Sequence, residues 1–184
     1  MIKHYGTFLL LTTGLTLMNA CRENNHEPAG EITVMTDKPA EQKKIGALLD
    51  SFNVAAARAD YQTYFAFYSD SAVFTGTDAT ERWNKQEYMK WAKPYFDKKR
   101  TWDFKSIDRH IYFDKSGQTA WFDELLNTQM KICRGSGVLT RDNGQWKIEQ
   151  YILSMTVPNN QVEQVIQIKT IEEDSLIKAI TPAP

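Results

Sequence analysis

The hydrophobic period of this chain switches at Trp102, and no other feature restricts its fold as much. Before that point apolar residues recur at three- and four-residue intervals, the spacing of amphipathic helices. After it they alternate, as on the two faces of a strand. Ile45, Leu48, Leu49, Phe52, Ala55, Ala56 and Ala59 make one broad helical stripe, with Asp37 and Pro39 as its start signal. Asp60 is placed to cap a second, short helix bearing Tyr61, Tyr64, Phe65 and Tyr68, followed by a brief strand over 72–75 that stops at Gly76. Asn84 with Glu87 is a capping-box pattern. It opens a third helix carrying Tyr88, Trp91, Tyr95 and Phe96, which Pro94 is predicted to kink or restart because it removes an internal hydrogen bond.

The second half reads as four strands. Segments 103–114 and 119–131 flank a turn at 115–118, and segments 134–142 and 145–157 flank Asn143-Gly144, the strongest short hairpin signal. The stretch 162–177 is predicted to be helical and to fray. Helices first and strands afterwards specify an α+β fold, in which a curled antiparallel sheet wraps over the N-terminal helices.

Pairing the first hairpin about its turn separates two faces. Ile107, Arg109, Ile111 and Phe113 stand opposite Ala120, Phe122, Glu124 and Leu126; Asp108, His110 and Tyr112 stand opposite Trp121, Asp123 and Leu125. The first face is apolar apart from Arg109 and Glu124, so it is expected to lie inside. Two opposite charges on an apolar wall must pair, because a lone buried charge is very costly. They are read either as a pocket floor, with Arg109 holding a ligand carboxylate or carbonyl and Glu124 orienting it or moving a proton, or as a self-satisfied structural pair. On the other face His110 and Asp123 are read either as an acid–base dyad or, with Tyr112 and Trp121, as a protein interface. In the last hairpin Trp146, Ile148, Gln150 and Ile152 are expected to share a face with Leu139, Gly135 and Gly137; those glycines either leave room for a ligand or ease the curvature.

The first 21 residues have the form of an export signal: Lys3 and His4, an apolar run from Phe8 to Met18, then Asn19 and Ala20. The run is shorter than the ~20 residues a membrane span needs. Cys21 after Ala20 resembles a bacterial lipobox, although Leu17 and Met18 depart from the usual order. The expectation is a leader over 1–20, lipidation of Cys21, a flexible polar tether over 22–38, a domain over 39–170 and a tail over 171–184. The protein would then be exported and held on a membrane of the cell envelope, facing the periplasm or the cell surface. Its balance of 22 basic and 23 acidic residues lacks the positive field that nucleic acid or anionic lipid requires.

The order of elements, with the phrases Phe74-Thr-Gly-Thr-Asp78, Arg109-His-Ile-Tyr-Phe113, Trp121-Phe-Asp-Glu124 and Cys133-Arg-Gly-Ser-Gly137, resembles the SnoaL-like branch of the nuclear-transport-factor-2-like superfamily over about 43–165. The resemblance implies a cone-shaped domain with a pocket between sheet and helices, and often a homodimer formed through the outer sheet face: here His110, Tyr112, Trp121 and Asp123. It does not dictate a function, because one fold hosts many. A small organic ligand bound in the cone is the first reading, with Arg109, Glu124, Phe122, Gln150, Tyr64 and Trp91 as pocket residues. The alternatives are an acid–base isomerase, cyclase or dehydratase using Glu124, His110 or Asp78, and a non-catalytic assembly module. The isomerases of the superfamily carry a carboxylate base on the early strand, a place that falls near Gly76 here, so Asp78 would have to bend inward to replace it. No cofactor is expected, and His110 alone in the domain gives no metal-ligand spacing. A Cys133–His110 thiol pair is the weakest of the chemical options.

Overall fold

The computed structural model describes residues 37–182 and Met1. The expected leader, Cys21 and nearly all of the expected tether lie outside the described residues. Helix α1 (Lys38–Ala57) begins where Asp37 accepts a hydrogen bond from the Ala40 amide at 3.0 Å, with Pro39 in its first turn. It buries Ile45, Leu49, Phe52, Ala55 and Ala56, the predicted stripe, and Asp60 caps α2 (Tyr61–Ala66) in the same way. After α2 the chain forms β1 (Tyr68–Thr75), β2 (Arg82–Asn84) and α3 (Lys85–Asp97), then the four long strands β3 (Lys105–Phe113), β4 (Thr119–Thr128), β5 (Lys131–Asp142) and β6 (Gln145–Met155). A short turn of 3-10 helix leads into α4 (Val162–Ile180), which runs past the domain boundary expected at residue 170.

The capping box at α3 is complete, with both reciprocal hydrogen bonds between Asn84 and Glu87 present. The helix does not restart at Pro94: α3 is continuous to Asp97. Pro94 lies close to the end of the helix, so the clash and the lost hydrogen bond fall on the turn before it while Lys98 still donates to the Pro94 carbonyl at 3.3 Å. Asn143 and Gly144 both have positive φ, 49° and 79°, as a two-residue type I′ hairpin demands.

The six strands form one sheet in the order β2-β1-β6-β5-β4-β3. Its pairings are antiparallel except one, since β1 runs parallel to β6. The reason is topological: four strands in a meander bring β6 back beside β1, with α3 and β3–β5 as the long crossover that a parallel pair requires. The core lies between the helices and one face of this sheet. Phe52 of α1 rests 5.5 Å from Tyr151 of β6, and Trp146 donates its indole N–H to Glu41 of α1 at 2.8 Å.

Two bulges modify the strand faces. Between Ser106 and Asp108 the register of β3 against β4 shifts, which ejects Ile107 from the inner face and leaves it exposed. Between β5 and β6 a second shift falls where Val138 pairs with Gln150 and Leu139 with Ile148. Trp146 and Ile148 therefore point inward, but so do Tyr151 and Leu153, and the expected partners Gln150 and Ile152 do not.

Candidate functional site

A cavity of about 180 Å³ opens between the helices and the inner face of β1 and β6. Each wall is set by a different element. Phe52 comes from α1, Tyr64 from α2, Tyr88 and Trp91 from α3, Phe74 from β1, and Tyr151 with Leu153 from β6. Trp102 and Phe104, ahead of β3 or at its approach, and Met130 in the β4–β5 turn complete the apolar lining. The rings are ordered against one another. Phe74 stacks on Tyr88 at 4.1 Å and 5°, and Trp83 lies nearly parallel to Tyr88 at 5.9 Å and stacks on Trp91 at 4.8 Å. Such offset stacks hold their members rigid and leave flat walls for a flat guest.

The polar groups are few. The Tyr64 hydroxyl lies 3.0 Å from that of Tyr88 and 3.4 Å from that of Tyr68. Burial pushes the Tyr64 phenol up to about 12 and those of Tyr68, Tyr88 and Tyr151 well above their ordinary value. These phenols are neutral hydrogen-bonding groups at any physiological pH. Gln129, Thr77 and Glu81 supply the remaining polar lining, and Glu81 is the one charged side chain among the lining residues. Its carboxylate accepts from the Asp78 amide at 3.3 Å and has no ion-pair partner among the described residues. Gly76 donates its N–H to the Glu81 carbonyl at 2.9 Å, and a side chain at position 76 would collide with the Glu81 carboxylate. Glycine at 76 is what lets this carboxylate approach the strand.

The residues expected to form the site divide into several places. Tyr64 and Trp91 line the cavity. Arg109 and Glu124 pair as expected, with Nε 2.8 Å from the carboxylate, but they are not among the lining residues. Arg109 also donates to the Gly46 carbonyl at 3.0 Å and to Asp50 at 2.9 Å, so its guanidinium fastens β3 to α1. Glu124 is almost fully buried; desolvation holds its carboxyl above the usual carboxylate range against the pull of Arg109. It meets the cavity only through Tyr151, whose hydroxyl donates to it at 3.3 Å. Gly135 makes room for that contact: a methyl group there would stand 2.6 Å from the Tyr151 hydroxyl and 3.1 Å from Glu124 Cγ. Phe122 packs behind Tyr151 at 5.9 Å and, like Gln150, which the bulge turns away, does not line the cavity.

Asp78 does not bend inward. Its carboxylate is engaged by the amide and hydroxyl of Thr80, which hold it below the usual carboxylate range on the surface. The Cys133–His110 pair does not form, because Cys133 is buried on the inner face and His110 is exposed on the outer one. On that outer face His110 lies 3.3 Å from Asp123, and Tyr112 stacks on Trp121 at 5.9 Å and 19°. Sequence reasoning missed Glu81, Trp102 and Tyr151. Only Tyr151 had a local signal, since it alternates with Leu153, and the bulge that turns it inward is invisible in the residue pattern.

A profile of the SnoaL-like domain matches residues 45–158. No curated protein sequence matches the chain closely enough to carry a comparison. Among solved structures, an NTF2-like protein of unknown function from Pseudomonas putida KT2440 superposes with a TM-score of 0.57 at 16% identity, over 66% of this chain and 91% of that one. A candidate dehydratase of the NTF2-like family from Streptomyces avermitilis gives 0.54 at 16%, over 65% and 98%. The association domain of C. elegans CaMKII gives 0.53 at 15%, over 63% and 96%. At these identities the structural likeness establishes the fold alone, and its members differ in role. The profile match covers the helices that wall the cavity and the whole of the curled sheet, and by it this chain belongs to the SnoaL-like domain family, on an NTF2-like fold.

Proposed function

We propose that the domain binds a small, flat organic cation in the aromatic cavity. One observation carries this reading: among the described residues, a cavity walled by stacked aromatic rings has Glu81, without a basic partner, as its only charged lining residue. A volume of about 180 Å³ is close to the ~150 Å³ of an apolar cavity able to hold benzene, so it fits a single ring with a short substituent. A carboxylate and aromatic faces both favour a positive group, the second by about 0.5–2 kcal/mol. No lysine or arginine is among the described residues that line the cavity, and Arg109 lies outside it, engaged with Gly46, Asp50 and Glu124.

The test is calorimetric titration with benzylamine, benzyl alcohol and benzoate, three guests of one size and different charge. Benzylamine is expected to bind at least about tenfold more tightly than the alcohol, with benzoate weakest, and Glu81→Gln is expected to abolish the preference while Trp91→Ala weakens all three. No binding by any guest, or a preference for benzoate, refutes the proposal.

A second reading is favoured by the outer sheet face, where Tyr112 and Trp121 form a stacked, half-exposed aromatic pair beside His110 and Asp123. Such a pair suits self-association, and one structural relative is an association domain by name. Export to the cell envelope, with Cys21 lipidated, belongs to the same proposal and is supported by the form of the first 21 residues.

A further inference from the structure

Helix α4 is long and regular, yet no residue of it is buried. Val162, Ile166, Ile177 and Ile180 are between 39% and 69% exposed, an apolar load that a solvated helix does not normally carry. Its sequence has an internal order. Positions 162, 166, 169, 173, 176 and 180 follow one another at steps of four, three, four, three and four, the spacing of a coiled-coil seam. The residues there are Val162, Ile166, Lys169, Glu173, Leu176 and Ile180, with Val165 and Ile177 flanking.

This seam is a palindrome about position 171. Reversing the helix exchanges Val162 with Ile180, Val165 with Ile177, Ile166 with Leu176 and Lys169 with Glu173. A twofold interface requires that if one residue meets another, the second also meets the first. Two antiparallel copies of α4 satisfy that condition at every seam position: apolar meets apolar in the outer layers, and Lys169 meets the Glu173 of the partner subunit twice at the centre. A parallel pair in register would instead set lysine against lysine and glutamate against glutamate. In one protomer Lys169 and Glu173 already lie 2.7 Å apart along the helix, so both charges are held on the seam. Ile168 and Ile171 lie off the seam and take no part.

We infer that α4 is a self-association element that pairs antiparallel with α4 of a second copy of this chain over about 27 Å, with the Lys169–Glu173 layer fixing register and direction. The proposal is independent of the ligand cavity. It commits to a second copy because the charge layer is complementary to itself only under that twofold pairing.

The test is sedimentation equilibrium of the full chain as wild type, Lys169→Glu, Glu173→Lys, an equimolar mixture of the two, and the double exchange, with circular dichroism to show that helix content is kept. The wild type is expected to dimerise. Each single variant faces like charges at both central contacts and should dimerise at least about tenfold more weakly. The mixture pairs two glutamates with two lysines and should recover as a heterodimer, and the double exchange should recover as a homodimer. A monomeric wild type overturns the inference. So does an unchanged dimer in both single variants, which would assign association to the outer sheet face, and so does a mixture that fails to recover.

Discussion

Replacing Arg109 by methionine tests the internal ion pair most directly. Glu124 is 1% exposed and loses the one cation that pairs with it among the described residues, while α1 loses the guanidinium contacts to Gly46 and Asp50. Removing one partner of a buried pair costs about 3–5 kcal/mol, because a charge stays buried without compensation. At about 3 °C per kcal/mol for a domain of this size, the melting temperature should fall by roughly 10–15 °C near neutral pH. The pH dependence gives the stricter check. Desolvation already raises the folded-state carboxyl of Glu124, so the folded state binds the proton more tightly than the unfolded one. Stability from this group is therefore present below the unfolded glutamate value and is lost as pH rises through the folded one. Without Arg109 the folded value climbs further and the window widens. The deficit of Arg109→Met against wild type should be smallest near pH 4 and grow toward neutrality, as read from urea midpoints. Adding Glu124→Leu should recover most of it, since an apolar pair can replace a buried ionic one. A deficit below about 1 kcal/mol at pH 7, or one that does not change with pH, would refute the account of a buried, desolvated pair.

Gly135→Ala is expected to cost about 2–4 kcal/mol by thermal unfolding, combining overpacking against Tyr151 and Glu124 with loss of their hydrogen bond. Gly144→Ala, with φ of +79° but open space around it, should cost only about 1 kcal/mol, and equal effects would show that side-chain crowding at 135 is relieved elsewhere. Asn84→Ala removes one half of the α3 capping box and should lower the urea midpoint by the equivalent of about 1 kcal/mol, with no change in the sheet signal.

The parts of the fold written in short-range patterns were legible. The α1 stripe, the Asn84 cap and the Asn143-Gly144 turn each depend on residues a few positions apart, and the structure repeats them. The register of β3 on β4 was legible from Asp108 to Phe113, because a four-residue turn and an apolar face leave one alignment there, and it failed at Ile107, which the bulge ejects. Arg109 therefore opposes Glu124 and His110 opposes Asp123 as expected. The limit was reached at Gln150. Alternation holds from Trp146 to Ile148 and then slips by one residue, so that Tyr151 enters the core in its place. Nothing in the local pattern marks that slip. Its cause is long-range: Gly137 lets the Gln150 carbonyl approach, and Gly135 leaves room for the Tyr151 hydroxyl over Glu124.

By itself the sequence determined the class of fold, the pairing of its hairpins and the presence of one opposed charge pair on an apolar face, all of which follow from periodicity, turn chemistry and the cost of burying charge. Only the tertiary structure decided what that pair does and where the cavity lies. Arg109 became a fastener because α1 presents Gly46 and Asp50 to it, and Glu81 became the charged residue of the cavity because β1 and β2 bring it against Gly76. Both outcomes join segments far apart in the chain or across a loop, and no spacing rule reaches across them.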